Sequence, residues 1–205
     1  MVAEFRYREI DSLRGLAVLL MVMVHAAAIW SPTQSSDTSS LSYIVAGLGG
    51  LAAPLFITIF GWGLIKSRSS NRANIIKAII LLILQILVNL SSPHLYQPFS
   101  PGILSLFALL IMLKPLIVKI TTNRTIFLLF WLSILLFYGV NSMLFSIQGE
   151  NNWDFRTNTE NLSTVISHLI LTGTYPVLPW ICYAVVGAFL GSSITEGGKT
   201  LPRNS

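Results

Sequence analysis

Long apolar runs that lack ionisable side chains constrain this chain more than any other feature of its sequence. Only 10% of the 205 residues are charged and 53% are hydrophobic, whereas soluble domains carry about 25% charged residues. A membrane-spanning helix needs about 20 consecutive apolar residues. The sequence therefore predicts an all-α polytopic integral membrane helical bundle of about six transmembrane helices, with spans at Ile10–Trp30, Tyr43–Ile65, Ile75–Leu90, Ile103–Ile120, Thr125–Leu144 and Pro176–Ile194.

The runs follow one another without a second domain or an internal repeat. We expect residues 1–205 to form a single transmembrane domain, with residues 1–9 as an interfacial lead-in and residues 195–205 as a polar tail. The chain contains one cysteine, Cys182, so an internal disulfide is excluded.

Two places in the pattern predict breaks. Pro115 lacks a backbone N–H and Lys114 is costly to bury in lipid, so we expect the fourth span to bend or end early there. The apolar piece Val165–Leu171 is too short to cross a bilayer and is followed by Gly173 and Pro176. This piece is predicted to be an interfacial or re-entrant helix.

The distribution of cations predicts the orientation. Six spans place both termini on one side, and cytoplasmic segments of membrane proteins are enriched in Lys and Arg. Arg156 alone falls on the side opposite the termini. Both termini are therefore predicted to be cytoplasmic, in a plasma membrane protein that contacts lipids and no nucleic acid; the twelve cations on their side are Arg6, Arg8, Arg14, Lys66, Arg68, Arg72, Lys77, Lys114, Lys119, Arg124, Lys199 and Arg203.

The first span carries two ionisable side chains that share one helix face. Arg14 and His25 are eleven residues apart, and eleven steps of about 100° return to within roughly 20° of the start, about 16 Å along the axis. An ionisable residue within a span is a functional candidate by default. Two other interpretations stay open: Arg14 as a topology anchor paired with Asp11, and His25 as a helix-end histidine that reaches the interface.

Three motifs carry a resemblance to known membrane enzymes. Arg14, ten residues and His25 resemble the R-x10-H signature of the type 3 transmembrane acyltransferases, and RYREIDSLRGLAVLLMVMVHA is similar to the heparan-alpha-glucosaminide N-acetyltransferase-like branch. Ala53–Gly61 and Tyr175–Gly191 resemble the second and third motifs of that branch, in the same order. The chain departs from the family in its fewer spans and in the short loop after His25.

The resemblance implies an acyltransferase that uses acyl-CoA (acetyl-CoA) as its co-substrate. His25 would be the catalytic residue, because a neutral imidazole can deprotonate an acceptor or take the acyl group itself. Arg14, Arg68, Arg72 and Lys114 would bind the CoA phosphates from the cytoplasmic side. The acceptor, a sugar in the family that the motifs resemble, would lie at or beyond the outer face.

Other polar side chains of the outer half have weaker signals. Gln85, Asn89 and Tyr175 are candidates to donate a hydrogen bond to the developing oxyanion. His94 and His168 are interpreted as polar surface of the outer loops. No metal is expected, because the sequence has no HxxxH or HExxH spacing and few outer carboxylates.

Two other functions compete with the enzyme. The chain could be a non-catalytic small integral subunit of a larger membrane complex, built on a reduced acyltransferase-like bundle. A transporter is disfavoured by the scarcity of carboxylates in the spans and the lack of repeats. The sequence leaves open whether the chain forms a homo-oligomer or joins a larger membrane complex.

Overall fold

The computed structural model describes residues 7–30, 40–144, 149 and 152–196, which are helical wherever they are regular. No strand occurs among these residues, which confirms the all-α prediction. The chain divides into two compact units, residues 1–60 and residues 61–205. The helices are α1 (Arg8–Trp30), α2 (Ser40–Gly50), α3 (Ala52–Lys66), α4 (Asn71–Ser91), α5 (Ile103–Met112), α6 (Lys114–Thr122), α7 (Arg124–Leu144), α8 (Trp153–Thr157), α9 (Leu162–Ser167) and α10 (Val177–Glu196), with a π-helical turn at His168–Thr172 before α10.

The described helices include three to five candidate membrane spans. Three are long and apolar enough by themselves: Arg8–Ala27, Tyr43–Lys66 and Asn71–Ser91. Two bent pairs raise the number to five if each pair is one span, namely Ile103–Met112 with Lys114–Thr122 at 64° and Leu162–Thr172 with Val177–Ser193 at 45°. Within α7, the apolar part Arg124–Gly139 is shorter than these spans. The helices are those of a polytopic membrane protein.

In the first unit, α1 packs against α2. Gly49 permits this approach, because a Cβ atom at that position would overlap the Val24 side chain. Ala17 is fully buried, whereas Leu19 and Val22 on the same helix are exposed. An apolar face of this kind is stable in lipid rather than in water.

The second unit has its core between α4, α5, α6 and α10. α5 packs on α4, and α10 packs on both α5 and α6. The outer face of α4 stays uncovered, with Ile79, Ile83 and Leu87 exposed, as expected for a helix that faces lipid. The fully buried side chains of this core include Leu106, Leu110, Ile117, Ala184, Val185 and Ala188.

The predicted break at Lys114 and Pro115 is confirmed. α5 ends at Met112 and α6 starts at Lys114, with a bend of 64° between them. Pro115 cannot donate to the carbonyl of Ile111, and its ring would collide with that carbonyl in a straight helix. The chain therefore turns, and the Lys114 ammonium donates a 2.5 Å hydrogen bond to the backbone carbonyl of Ser67.

Residues 92–102 and 152–176 form a structured region, here called the cap, at the C-terminal end of α4. The Trp153 indole N–H donates to the Leu95 carbonyl at 3.0 Å, and the Tyr96 and Trp153 rings meet edge to face. Burial raises the pKa of the Tyr96 phenol above its usual value. The Gln97 side-chain oxygen accepts from both the amide and the hydroxyl of Thr159, at 2.7 and 2.8 Å. The two segments of the cap are thus hydrogen-bonded into one layer.

Asn89 fastens the cap to α4. Its side-chain NH₂ donates to the carbonyls of Pro98 and Ser100 at 3.0 and 2.8 Å, and its side-chain oxygen accepts from Gln85 at 2.9 Å. The Gln85 oxygen in turn accepts from the Leu104 amide at 3.2 Å. Since Asn89 is only 1% exposed, these bonds satisfy polar groups that have no access to water.

Candidate functional site

The two candidate residues of the first unit lie on one unbroken helix. α1 runs from Arg8 to Trp30 without interruption, so regular helical spacing relates Arg14 to His25. Arg14 and His25 are therefore placed on one side of α1, about 16 Å apart along its axis. Both side chains are exposed, so each is open to a ligand or to solvent.

The His25 ring is oriented by its own helix. Its Nδ1 lies 2.8 Å from the Met21 carbonyl oxygen, one helical turn earlier. A carbonyl can only accept, so Nδ1 carries the proton in this contact. In a neutral imidazole the remaining nitrogen, Nε2, then holds the lone pair. The geometry leaves a proton acceptor pointing away from the backbone of α1.

Arg14 is paired within its own turn. One of its terminal nitrogens lies 3.1 Å from the Asp11 carboxylate, and its side chain is 51% exposed. This pair is the one that the topology-anchor interpretation predicts, and as an exposed i,i+3 pair it contributes little to stability. A guanidinium has five donors, so the contact with Asp11 leaves further N–H groups that a phosphate could accept from.

The cationic candidates of the second unit meet around the loop of residues 67–70, here called the basic loop. Arg68 is exposed in this loop, and Arg72 is exposed in the first turn of α4. Lys114 is half-buried and joins the loop through its bond to Ser67. The structure thus brings Lys114 to the segment that carries Arg68, although the two are far apart in sequence.

The basic loop is held in shape by its own hydroxyl groups. The Ser67 and Ser69 hydroxyls lie 2.9 Å apart, and the Ser69 hydroxyl donates to the buried Asn74 side chain at 2.5 Å. The Ser70 hydroxyl caps α4 by accepting from the Ala73 amide at 3.3 Å. Short polar side chains at a helix start have this role generally, so the loop presents its cations from an ordered frame.

One cation near this loop was not among the sequence-based candidates. Lys77 is exposed on α4 and acts electrostatically on Lys114. The signal that could have identified it is the succession of two spans joined by a loop, since neighbouring spans run antiparallel. Antiparallel packing brings residues at the start of α4 level with residues just after α5. That match depends on the length of the loop between the two helices, which the sequence pattern alone does not determine.

The oxyanion candidates need a correction. Asn89 donates both of its amide hydrogens to cap carbonyls, so it has no donor left for a substrate. Gln85 is buried and bonded to Asn89 and to Leu104. These two residues hold the cap to α4. The Tyr175 ring packs 5.4 Å from the Trp180 ring, and its role as a donor stays a prediction.

The other two histidines differ from each other. His94 is exposed in the cap, as the surface interpretation predicts. For His168 that interpretation is wrong, because the residue is only 1% exposed. Its Nδ1 lies 2.6 Å from the Thr172 hydroxyl, and its ring meets Phe155 edge to face. The π-helical turn packs against α8 and so covers a ring that a loop would have exposed.

No group of three or more His, Cys, Asp or Glu side chains within the described ranges is placed to hold a metal ion. His25 and His168 lie in local hydrogen bonds, and Asp11 lies in an ion pair.

No curated protein and no solved structure matches this chain. Residues 6–204 match the family described as "Heparan-alpha-glucosaminide N-acetyltransferase, catalytic". The matched range includes α1 with Arg14 and His25, the basic loop and the cap. Together with the apolar helices, this match over nearly the whole chain shows that the protein belongs to the heparan-alpha-glucosaminide N-acetyltransferase catalytic family of membrane transferases.

Proposed function

We propose that this protein transfers an acetyl group from acetyl-CoA to an acceptor amine or hydroxyl at or beyond the outer face of the membrane. The family's description names a glucosaminide as the substrate and N-acetylation as the reaction, so a sugar amine is the acceptor class that fits best. The observation that supports the reaction most directly is the orientation of His25, whose Nδ1 bond to Met21 leaves Nε2 as the base.

The proposed chemistry needs one proton acceptor. The acceptor nitrogen or oxygen attacks the thioester carbonyl, Nε2 of His25 takes the proton that the acceptor loses, and the C–S bond breaks to release CoA as a thiolate. The imidazolium then returns the proton to the thiolate. In a second form of the same chemistry, Nε2 itself attacks the thioester carbonyl and CoA leaves as a thiolate; the acceptor then attacks the acetyl-imidazole, His25 leaves, and the proton that the acceptor loses goes to the thiolate.

The co-substrate would be bound through its phosphates. Guanidinium groups bind phosphate oxygens in pairs, and ammonium groups act as point charges. Arg14 on the first unit, and Arg68, Arg72 and Lys114 around the basic loop, are the residues proposed for this role. All four fall on the cytoplasmic side of the predicted topology, where acetyl-CoA is present.

The proposed topology has six spans, both termini in the cytoplasm and the cap outside, in a plasma membrane protein whose residues 1–205 form one transmembrane domain. Two sets of contacts support it within the second unit. The cap segments bond to each other at one end of α4, and Lys114 bonds to Ser67 at the other end. A relation to the wider type 3 acyltransferase superfamily belongs to the same proposal.

A transfer assay tests the proposal. Purified protein in mild detergent is given radiolabelled acetyl-CoA and glucosamine, and acetylated product is counted. We expect His25→Ala to lower the rate about 10²- to 10⁴-fold, the usual contribution of a general base. His94→Ala is the matched control, because it removes an exposed imidazole from the cap and should leave the rate within about twofold.

A binding measurement with acetyl-CoA and the subunit composition of the purified protein decide between the enzyme and the alternative interpretation. Wild-type protein that folds and binds no acetyl-CoA, and that copurifies in fixed stoichiometry with other membrane proteins, would replace the enzyme with a non-catalytic subunit of a larger complex.

A further inference from the structure

The antiparallel packing of α4 and α5 places Lys77 beside Lys114. The Leu104 amide bonds to the Gln85 side chain, which sets the start of α5 level with Gln85. Lys114 is ten residues beyond Leu104, and Lys77 is eight residues before Gln85. At about 1.5 Å per residue these distances are roughly 15 and 12 Å, so the two lysines lie at similar heights on the two packed helices.

Two further observations agree with this placement. Lys114 contacts Ser67, which precedes α4 by only four residues, so the end of α5 and the start of α4 lie together. Lys77 is also the charged group that acts electrostatically on Lys114. Two like charges that act on each other are unfavourable unless an anion lies between them or near them.

The chain offers these lysines little compensation. No Asp or Glu occurs between Asp37 and Glu150, a stretch that contains the whole of α3 to α7. The Asp11 carboxylate pairs with Arg14 on α1, in the first unit. A bound anion is therefore the simplest source of neutralisation for the Lys77 and Lys114 charges.

We propose that Lys77 and Lys114 together bind one phosphate group at the edge of the basic loop. Phosphate fits because its several oxygens accept hydrogen bonds from both ammonium groups at once, and Lys114 keeps two N–H donors after its bond to Ser67. The hydroxyl bonds of the basic loop hold Ser67, and through it Lys114, in place before the anion arrives. Lys77 is the residue that this adds to the site.

The phosphate has two sources at a membrane surface: a CoA molecule or an anionic lipid headgroup. If the phosphate belongs to CoA, this inference rests on the proposed function. If the phosphate belongs to a lipid headgroup, the inference is independent of the proposed function. The first arm of the experiment measures CoA binding by titration calorimetry in uncharged detergent. The second arm counts bound phosphatidylglycerol by native mass spectrometry after reconstitution in mixed phosphatidylcholine and phosphatidylglycerol nanodiscs.

Lys77→Gln is the main variant, because Lys77 is exposed and its loss should not affect folding. We expect binding in at least one arm to weaken about tenfold or more, the size of a lost charge-assisted contact, and Lys77→Arg to restore most of it. Lys119→Gln is the control, because it removes an exposed lysine from α6 and changes the net charge by the same amount as Lys77→Gln. Its binding should stay within about twofold of wild type in both arms.

Each result has a definite reading. Weakening in the CoA arm assigns the phosphate to the co-substrate, and weakening in the lipid arm assigns it to a headgroup. If Lys77→Gln matches Lys119→Gln in both arms while both variants unfold at the wild-type temperature, the inference is wrong. If CoA binding depends on Lys77 and no acetyl transfer occurs, the phosphate site stands and the proposed enzyme activity fails.

Discussion

Arg14 and His25 contribute differently to the proposed reaction, so their variants should fail in different steps. Arg14 is expected to hold a phosphate of the co-substrate, and its contact with Asp11 is weak and exposed. Arg14→Ala should therefore weaken CoA binding by roughly 1.5–3 kcal/mol, about ten- to a hundredfold. Arg14→Lys should recover part of that loss, since a point charge cannot reproduce the planar fork of donors.

Titration calorimetry of each variant with CoA measures this effect. Arg124→Ala provides the control, because it removes an exposed arginine at the start of α7 that is also predicted to face the cytoplasm. If Arg14→Ala and Arg124→Ala bind CoA equally well, Arg14 is a topology anchor and the phosphate contact is elsewhere.

Asn89 offers a prediction about stability. Replacing it with Leu removes the two hydrogen bonds to Pro98 and Ser100 and leaves their carbonyls without these donors inside the protein. Each buried polar group without a partner costs roughly 1–3 kcal/mol, so we expect a clear fall in the unfolding temperature in detergent. Ser91→Ala, at an exposed position two residues later, should change it little. Equal unfolding temperatures for the two variants would show that Asn89 does not hold the cap.

The sequence allowed the candidate residues on α1 to be predicted better than those of the cap. Residues that share a helix face follow from spacing alone, so Arg14 and His25 could be placed together without coordinates. The bond from His25 to Met21 depends on a side-chain rotamer, which spacing does not specify. The sequence favours Asn89 as an oxyanion donor because the path of the loop that carries its partners, Pro98 and Ser100, follows from no periodic pattern.

Among the elements, α3 and α10 approach each other closely at Gly61 in the second unit. A Cβ atom added to Gly61 would overlap the backbone of Ala184, so the two helices touch backbone to backbone there. We expect Gly61→Ala to push them apart and to lower stability by roughly 1–3 kcal/mol. Thermal unfolding followed by tryptophan fluorescence measures the change.

Gly139 on α7 is the control for this substitution. A Cβ atom there meets nothing within 4 Å, so Gly139→Ala should be neutral or raise stability by up to about 1 kcal/mol through its better helix propensity. The account of helix packing is contradicted if Gly61→Ala is as stable as Gly139→Ala.

The bends between elements were partly predictable. Pro115 removes a backbone hydrogen bond in mid-span, which favours a bend there, and the structure confirms the bend. The apolar piece near Val165 was recognised as too short to cross by itself, and the structure continues it into the π-helical turn of His168–Thr172. The burial of His168 could not be predicted, because it depends on α8, whose five residues carry no helical periodicity of their own.

At the scale of the whole molecule, the topology is the property that the function needs most. The cap and the basic loop lie at opposite ends of α4, so they should face opposite sides of the membrane. Single cysteines in a Cys182→Ala background test this, with Ser163→Cys in the cap and Thr122→Cys at the end of α6, both at exposed positions.

A membrane-impermeant thiol reagent added to intact cells should label Ser163→Cys and leave Thr122→Cys unlabelled until the membrane is opened. The reverse pattern would invert the topology, and labelling of both from outside would place the two ends on one side.

The central claim is that acetyl groups pass from a donor on the cytoplasmic side to an acceptor outside. Sealed proteoliposomes with radiolabelled acetyl-CoA enclosed on the side of the basic loop and glucosamine on the side of the cap measure this transfer directly. The account predicts labelled N-acetylglucosamine on the cap side with wild-type protein, and at least a hundredfold less with His25→Ala. Product that forms only when both substrates are on the same side, or at the same rate with His25→Ala, would contradict it.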